Sequence, residues 1–372
     1  MKFGFPPFQI LFFFLFLILP LSSCEQQQAP IKIGLSINLS GRGGEAGEQI
    51  RDGALLAVEA VNSAGGIKGR PLELLIRDDK NNAEGVKKAD ESLMNEDVVA
   101  IIGHSSSSNT VTAHPLVTSM GRLLITGYTA TTTLSAQDDF FLRTSVDCAL
   151  FGQKAAALLE KKKAHSISIL MDMTNAAFVE DYATRIAKHF SGTSTEVKFQ
   201  SREQADWSQI IDALLAPNPD AIVLLTEASM TGVALQKLEV ANFSGPRIAT
   251  LWTQAPSLMR YAGNSAEGLS IITFINPDNT RPKYLSFAAE IENKFNKKAT
   301  ARSTRAYEIV MILADALKRS PGINSIELKK ALLAGEYDTL MGHVRFDSYG
   351  DVIRPVYEVV VREKQFRNNG EI

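Results

Sequence analysis

The chain has 372 residues, is 45% hydrophobic and 22% charged, and carries 39 basic against 41 acidic residues. That profile excludes a disordered or collagen-like chain, and the near-zero charge balance argues against nucleic-acid binding, which needs a basic surface. Two cysteines cannot build a disulfide scaffold or a cysteine-based zinc site.

The first 23 residues differ from the rest. They contain one base, Lys2, no acid, and seven of the 19 phenylalanines. Ile10 to Leu19 is apolar over about ten residues, where a membrane span needs about 20. A basic start, a short apolar stretch and then small residues read as a secretory leader over 1–23. Leu21-Ser22-Ser23-Cys24 resembles a lipobox, which makes Cys24 the expected site of lipidation. Residues 24–30, with three consecutive glutamines, read as a tether. Cys148 then has no intramolecular partner and reads as a small buried hydrophobe.

Ile31 to Ile37 predicts a β-branched strand, followed by the glycine-rich turn Ser40 to Gly44. Ile50, Ala54, Ala57, Val58 and Val61 recur at helical spacing, and Gly65-Gly66 stops that helix. Leu72 to Ile76 predicts a strand ending at Asp78-Asp79, and Ala83 to Met94 a helix. A strand over Val98 to Ile102 leads into Gly103 and four serines. Val111 to Ser119 predicts a helix weakened by Pro115, and Leu123 to Thr126 a strand. The alternation resumes with a helix over 149–160, a strand over 166–171 and a helix over 179–190. Helices over 206–215 and 231–240 flank a strand over 221–225. Later helices are expected over 283–295, 304–319 and 326–334, then strands over 342–346 and 356–362. Such alternation gives an α/β fold with two doubly wound parallel-sheet lobes.

Ligands of open parallel sheets bind beyond the carboxyl ends of the strands. That rule nominates the loops 40–47, 103–110, 127–133 and 226–230. The serine loop is an anion cradle if a helix follows it, because first-turn N–H groups carry partial positive charge. A plain N-cap explains the same serines. Gly41-Arg42-Gly43-Gly44-Glu45-Ala46 fits the looser dinucleotide fingerprint, but Asp78 and Asp79 lie too far along to hold a ribose. The five histidines show no metal-ligand spacing, and no serine sits in a nucleophile elbow. His104 adjoins the serines, yet neighbours on an extended chain point to opposite sides. No catalytic residue, cofactor or metal is expected.

Several segments together carry a resemblance. They are Ile31-Lys32-Ile33-Gly34, Leu39-Ser40-Gly41, Ala64 to Gly69, Asp78-Asp79, Ile102-Gly103-His104, Asp206-Trp207-Ser208, Asn218 to Ile222 and Gly342 to Asp347. In order and spacing the chain resembles branched-chain amino-acid-type periplasmic binding proteins. The resemblance implies the type I periplasmic binding fold, with two lobes joined by three crossovers and a ligand clamped between them. It places 31–146 and 276–341 in the first lobe, and 147–275 and 342–372 in the second.

By the same resemblance, Ser105, Ser106 and Ser107 hold a ligand carboxylate, together with Tyr128, Thr129, Ala130 and Thr131. Phe178 falls where the family places an aromatic contact. Leu251-Trp252-Thr253 falls where the family has an acid for the ligand's amine, and no acid is present there. Either Glu227 supplies the missing charge, or the ligand has no amine and packs on Trp252 and Phe178. The implied function is an exported, lipid-anchored, monomeric protein that captures an amino acid or related small carboxylate. It would deliver that ligand to the permease of an ABC importer. The alternatives are a ligand-sensing receptor subunit and, further off, an exported hydrolase using the serine loop.

Overall fold

The chain runs through one parallel sheet, then a second, then back to the first. The computed structural model describes residues 1–4, 29–41 and 43–372. Most of the expected leader, Cys24 and most of the tether lie outside the described residues.

The first series is β1 (Ile31–Ile37), α1 (Gly44–Ser63), β2 (Leu72–Asp78), α2 (Ala83–Asn95), β3 (Ala100–Gly103), α3 (Ser107–Ser119), β4 (Leu123–Thr126) and β5 (Phe141–Arg143). Its five strands form a parallel sheet in the order β2-β1-β3-β4-β5. Side chains alternate across the sheet, so each strand feeds two cores. Ile102 and Ile125 pack with α1 residues such as Ala54 and Val58, while Ile101 and Leu124 pack with Val86 and Leu93 of α2 and Val117 of α3. Each such side chain, fully buried, contributes on the order of 2 kcal/mol.

The second series is α4 (Cys148–Lys161), β6 (Ser166–Asp172), α5 (Ala176–His189), β7 (Thr193–Phe199), α6 (Trp207–Leu215), β8 (Ala221–Leu225), α7 (Ala228–Val240), β9 (Arg247–Thr250), α8 (Pro256–Ala262) and β10 (Ser270–Thr273). It forms the parallel part of a seven-stranded sheet, β7-β6-β8-β9-β10. Cys148 is fully buried in its core, and burial pushes the thiol pKa well up. The strand β7 was not expected from the sequence. It is a polar, exposed edge strand, so it lacks an apolar pattern.

The chain then returns with α9 (Pro282–Phe295), α10 (Ala301–Arg319), α11 (Ser325–Leu333), β11 (Glu336–Thr339) and β12 (Gly342–Arg345). It ends with β13 (Tyr357–Arg362) and β14 (Gln365–Glu371), which add to β10 in antiparallel fashion. Three passages therefore link the lobes: β5 to α4, β10 to α9, and β12 to β13.

Two details correct the sequence reading. The change of lobe was placed at Gly342, but β12 pairs with β11, and Val344, Phe346 and Val352 pack into the first lobe's core. The passage to the second lobe therefore follows Val352. Helix α10 was expected from Thr304, but it starts at Ala301, capped by Thr300 and Ser303 in a reciprocal box. It lies against α1 at Gly53, where a Cβ would sit 2.1 Å from the Ser303 carbonyl oxygen. Only glycine allows that approach, and it brings the first turn of α10 to the mouth of the sheet.

Candidate functional site

A cleft of about 520 Å³ opens at the carboxyl ends of both sheets. The first lobe supplies Asn38 after β1, Ser105 and Ser106 after β3, and Tyr128 and Ala130 after β4. The second supplies Asn175 and Phe178 after β6, Glu227 and Ser229 after β8, and Leu251 and Trp252 after β9. All four nominated loops contribute. The walls also touch: Ser108 N–H donates to Asn175 Oδ1 and Ala177 N–H to Ser108 Oγ, both at 3.1 Å.

Of the serines, Ser105 and Ser106 face the cleft and Ser107 does not. Ser106 is the N-cap of α3, its Oγ accepting from Asn109 N–H at 3.2 Å. The cap and the cleft wall are therefore the same residue. Ser107 is buried, and its Oγ accepts from Ala130 N–H at 3.1 Å. It ties the serine loop to the next loop from behind. Thr129 also lies behind the wall, its hydroxyl 2.6 Å from that of Thr110. Thr131 turns the other way and accepts from Thr133 N–H at 3.3 Å. Ser107, Thr129 and Thr131, expected among the ligand contacts, are not among the residues lining the cleft in this structure, and Ser107 braces Ala130, which is.

Beneath the serine loop, His104 is fully buried between two carboxylates, Nδ1 2.8 Å from Asp79 Oδ2 and Nε2 3.1 Å from Asp90 Oδ2. Burial alone would lower its pKa, but the aspartates outweigh burial and raise it to about 9. His104 points away from the serines, into the lobe.

The opposite wall is aromatic. Trp252 meets Phe178 edge to face at 6.0 Å between ring centroids, and Phe178 meets Tyr182 at 5.4 Å. Phe178 is almost fully buried and Trp252 half-buried. This gives the cleft an apolar side.

Charge is distributed unevenly. Glu227 lines the cleft, but its carboxylate caps α7, accepting from Ser229 N–H at 2.9 Å and Met230 N–H at 3.1 Å. Glu45 forms an ion pair across the cleft with Arg260. Arg302 and Arg305 have no such partner: among the described residues no carboxylate lies within 4.0 Å of either guanidinium. Arg305 is 6% exposed, its guanidinium 4.4 Å from the Tyr128 ring centroid. Its Nη1 donates to the Gly127 carbonyl oxygen and its Nε to that of Ala301, each at 3.0 Å. Burial lowers the pKa of both arginines, that of Arg305 to about 10, so both remain charged at neutral pH.

Comparison with known proteins decides the family. A sequence model described as periplasmic binding protein matches residues 30–366. The chain belongs to the periplasmic binding protein family. The binding protein is 25% identical over 342 residues to the leucine-, isoleucine-, valine-, threonine- and alanine-binding protein of Pseudomonas aeruginosa, covering 87% of each chain. It superposes on a leucine-binding protein of Thermotoga maritima with a TM-score of 0.84 at 20% identity, covering 92% and 98% of the chains. It is also similar to a solute-binding protein of Rhodopseudomonas palustris solved with 3,4-dihydroxybenzoic acid: TM-score 0.81, 16% identity, 92% and 97% covered. These relatives are named as binding proteins, the last of them of an ABC transporter, and the resemblance to branched-chain amino-acid-type members holds.

The sequence reading of the binding protein missed Arg302 and Arg305. The signal was present but unread: Thr300 and Ser303 form a capping box, which starts the helix early. Residues 302 and 305, three apart, then share a helix face. What no local pattern shows is that this turn returns to the serine and tyrosine loops, joined by Tyr128 Oη donating to the Arg302 carbonyl oxygen at 2.8 Å.

Proposed function

We propose that this is the extracytoplasmic solute-binding component of an ABC importer, and that its ligand is a small carboxylic acid with no required ammonium group. The charge of the cleft carries the ligand reading. An ammonium needs a carboxylate free to receive it. Glu45 is engaged by Arg260 and Glu227 by the start of α7, while Arg302 and Arg305 have positive charge unmatched by contact. An acid suits that cleft and an ammonium does not.

In this reading Ser105 and Ser106 receive a carboxylate at the positive end of α3, and Trp252 and Phe178 pack on the ligand's body. Ser107, Thr129 and Thr131 hold those loops in register. The fold accommodates both kinds of ligand: the Thermotoga relative is named for leucine, and the Rhodopseudomonas relative was solved with an aromatic acid lacking an amine. Capture closes the lobes, because a ligand touching both walls favours the closed population. The closed form then docks to the permease. Leu21-Ser22-Ser23-Cys24 supports anchoring through a lipid on Cys24. Replacing Cys24 with alanine should move the exported protein from the membrane fraction to the soluble one.

The test is a melting-temperature panel of matched acids, each α-amino acid beside its deaminated analogue. A ligand that binds only the native state raises the melting temperature. Leucine beside 4-methylpentanoate, and phenylalanine beside 3-phenylpropionate, are suitable pairs. Shifts from the amine-free member of each pair support the reading. Shifts from α-amino acids alone would overturn it.

A further inference from the structure

Arg302 is unfavourably placed for any purpose confined to the fold. It lies in the first turn of α10, which contains no acidic residue. A cation at the positive end of a helix is unfavourable. Half-burial adds a desolvation cost that no carboxylate among the described residues offsets by direct contact. Its one hydrogen bond within the described residues, Nη2 to the Trp252 carbonyl oxygen, is long at 3.4 Å. Charges on Glu227 and Glu45 act on Arg302 only through space. Arg305 beside it adds a second positive charge and an Nη2 with no acceptor among the described residues. Two cations side by side, each short of acceptors, repel one another, and an anion between them would relieve that cost.

The loop after β4 locates this centre relative to the serines. At Gly127 and Tyr128 it touches Arg305 and Arg302; at Thr129 and Ala130 it touches Thr110 and Ser107. Three residues of extended chain span at most about 10 Å. The arginine pair and the serine cradle therefore sit at the two ends of one short loop, within reach of one small ligand. Between them runs the wall formed by Tyr128 and Ala130, facing Trp252 and Phe178.

From this we infer that Arg302 and Arg305 form a second anion subsite, so that the ligand is a small diacid spanning from the serine loop to α10. This rests on the carboxylate reading above. An anion at Arg302 would also couple the lobes, since the guanidinium belongs to the first lobe and already reaches the Trp252 carbonyl of the second. Closure and recognition of the second acidic group would be one event.

The test is isothermal titration with glutarate, adipate and terephthalate against pentanoate, hexanoate and benzoate. Wild type should bind the best diacid at least tenfold more tightly than its monoacid counterpart. Arg302→Met should remove that advantage, lowering diacid affinity at least tenfold more than monoacid affinity, since it keeps the stem and deletes two charge-assisted bonds. Arg302→Lys should retain part of the advantage, and its melting temperature reports whether the site stays folded. If monoacids bind wild type as tightly as diacids, the second subsite is wrong and the carboxylate reading stands. If Arg302→Met weakens both classes equally, Arg302 holds the only carboxylate and the two-centre arrangement is wrong. If no acid of either class binds, the carboxylate reading falls and takes the subsite with it.

Discussion

The first lobe contains two cationic centres that are wired in opposite ways. His104 lies between Asp79 and Asp90, with a carboxylate on each ring nitrogen. Arg302 and Arg305 have carbonyl oxygens and a tyrosine ring, but no carboxylate in contact among the described residues. The difference teaches how to separate structure from function in this molecule. A charge that the fold compensates belongs to the fold, and removing its partner unfolds the chain. A charge left uncompensated at a cleft wall destabilises the empty protein and waits for a ligand.

The comparison can be broken most directly at His104. Asp90→Ala leaves a buried imidazolium with one carboxylate and should cost about 3–5 kcal/mol of stability. Urea denaturation measures it, and a cost below about 1 kcal/mol would contradict a compensated structural centre. The same centre predicts a pH dependence. The His104 pKa is raised to about 9 from an ordinary 6.5. Its contribution is therefore complete below about pH 6.5 and lost as pH rises through about 9, amounting to no more than about 3 kcal/mol. The difference in urea midpoint between wild type and His104→Gln should shrink over that window. A difference constant from pH 6 to 9.5 would overturn the assignment.

At the arginine centre the expected stability effect is smaller and of opposite sign. Arg305→Met should leave the empty protein as stable or up to about 1 kcal/mol more stable, because it removes an unpaired buried charge. A loss of more than about 2 kcal/mol would mean that Arg305 acts through its carbonyl bonds and ring stacking, as a strut. The smallest effect belongs to the exposed pair Glu45–Arg260. Glu45→Gln should change stability by less than about 1 kcal/mol. It should still speed ligand release, read by stopped flow, since that pair spans the cleft.

The same contrast explains what the sequence made legible. The parallel lobes were visible because buried strands such as Ile31–Ile37 and Ala221–Leu225 and their helices follow distinct periods. The strand-end rule found all four loops, because topology alone places them. Side-chain direction was not visible. Ser106 and Ser107 are neighbours, yet one lines the cleft and the other braces Ala130. The hairpin at Gly342 was assigned to the wrong lobe because its partner strand, β11, is only four residues long with a single apolar side chain, Tyr337, and gave no signal. Arg302 was invisible for a stronger reason: its meaning comes from partners it lacks, and a missing partner is a property of three dimensions.

The central claim is that the cleft's unpaired positive charge belongs to an acidic ligand. Mass spectrometry of the small molecule retained by the native protein, released by denaturation, tests this most directly. The account predicts a small organic acid with two acidic groups and no amine. Recovery of a branched-chain amino acid, or of any cationic solute, would contradict it.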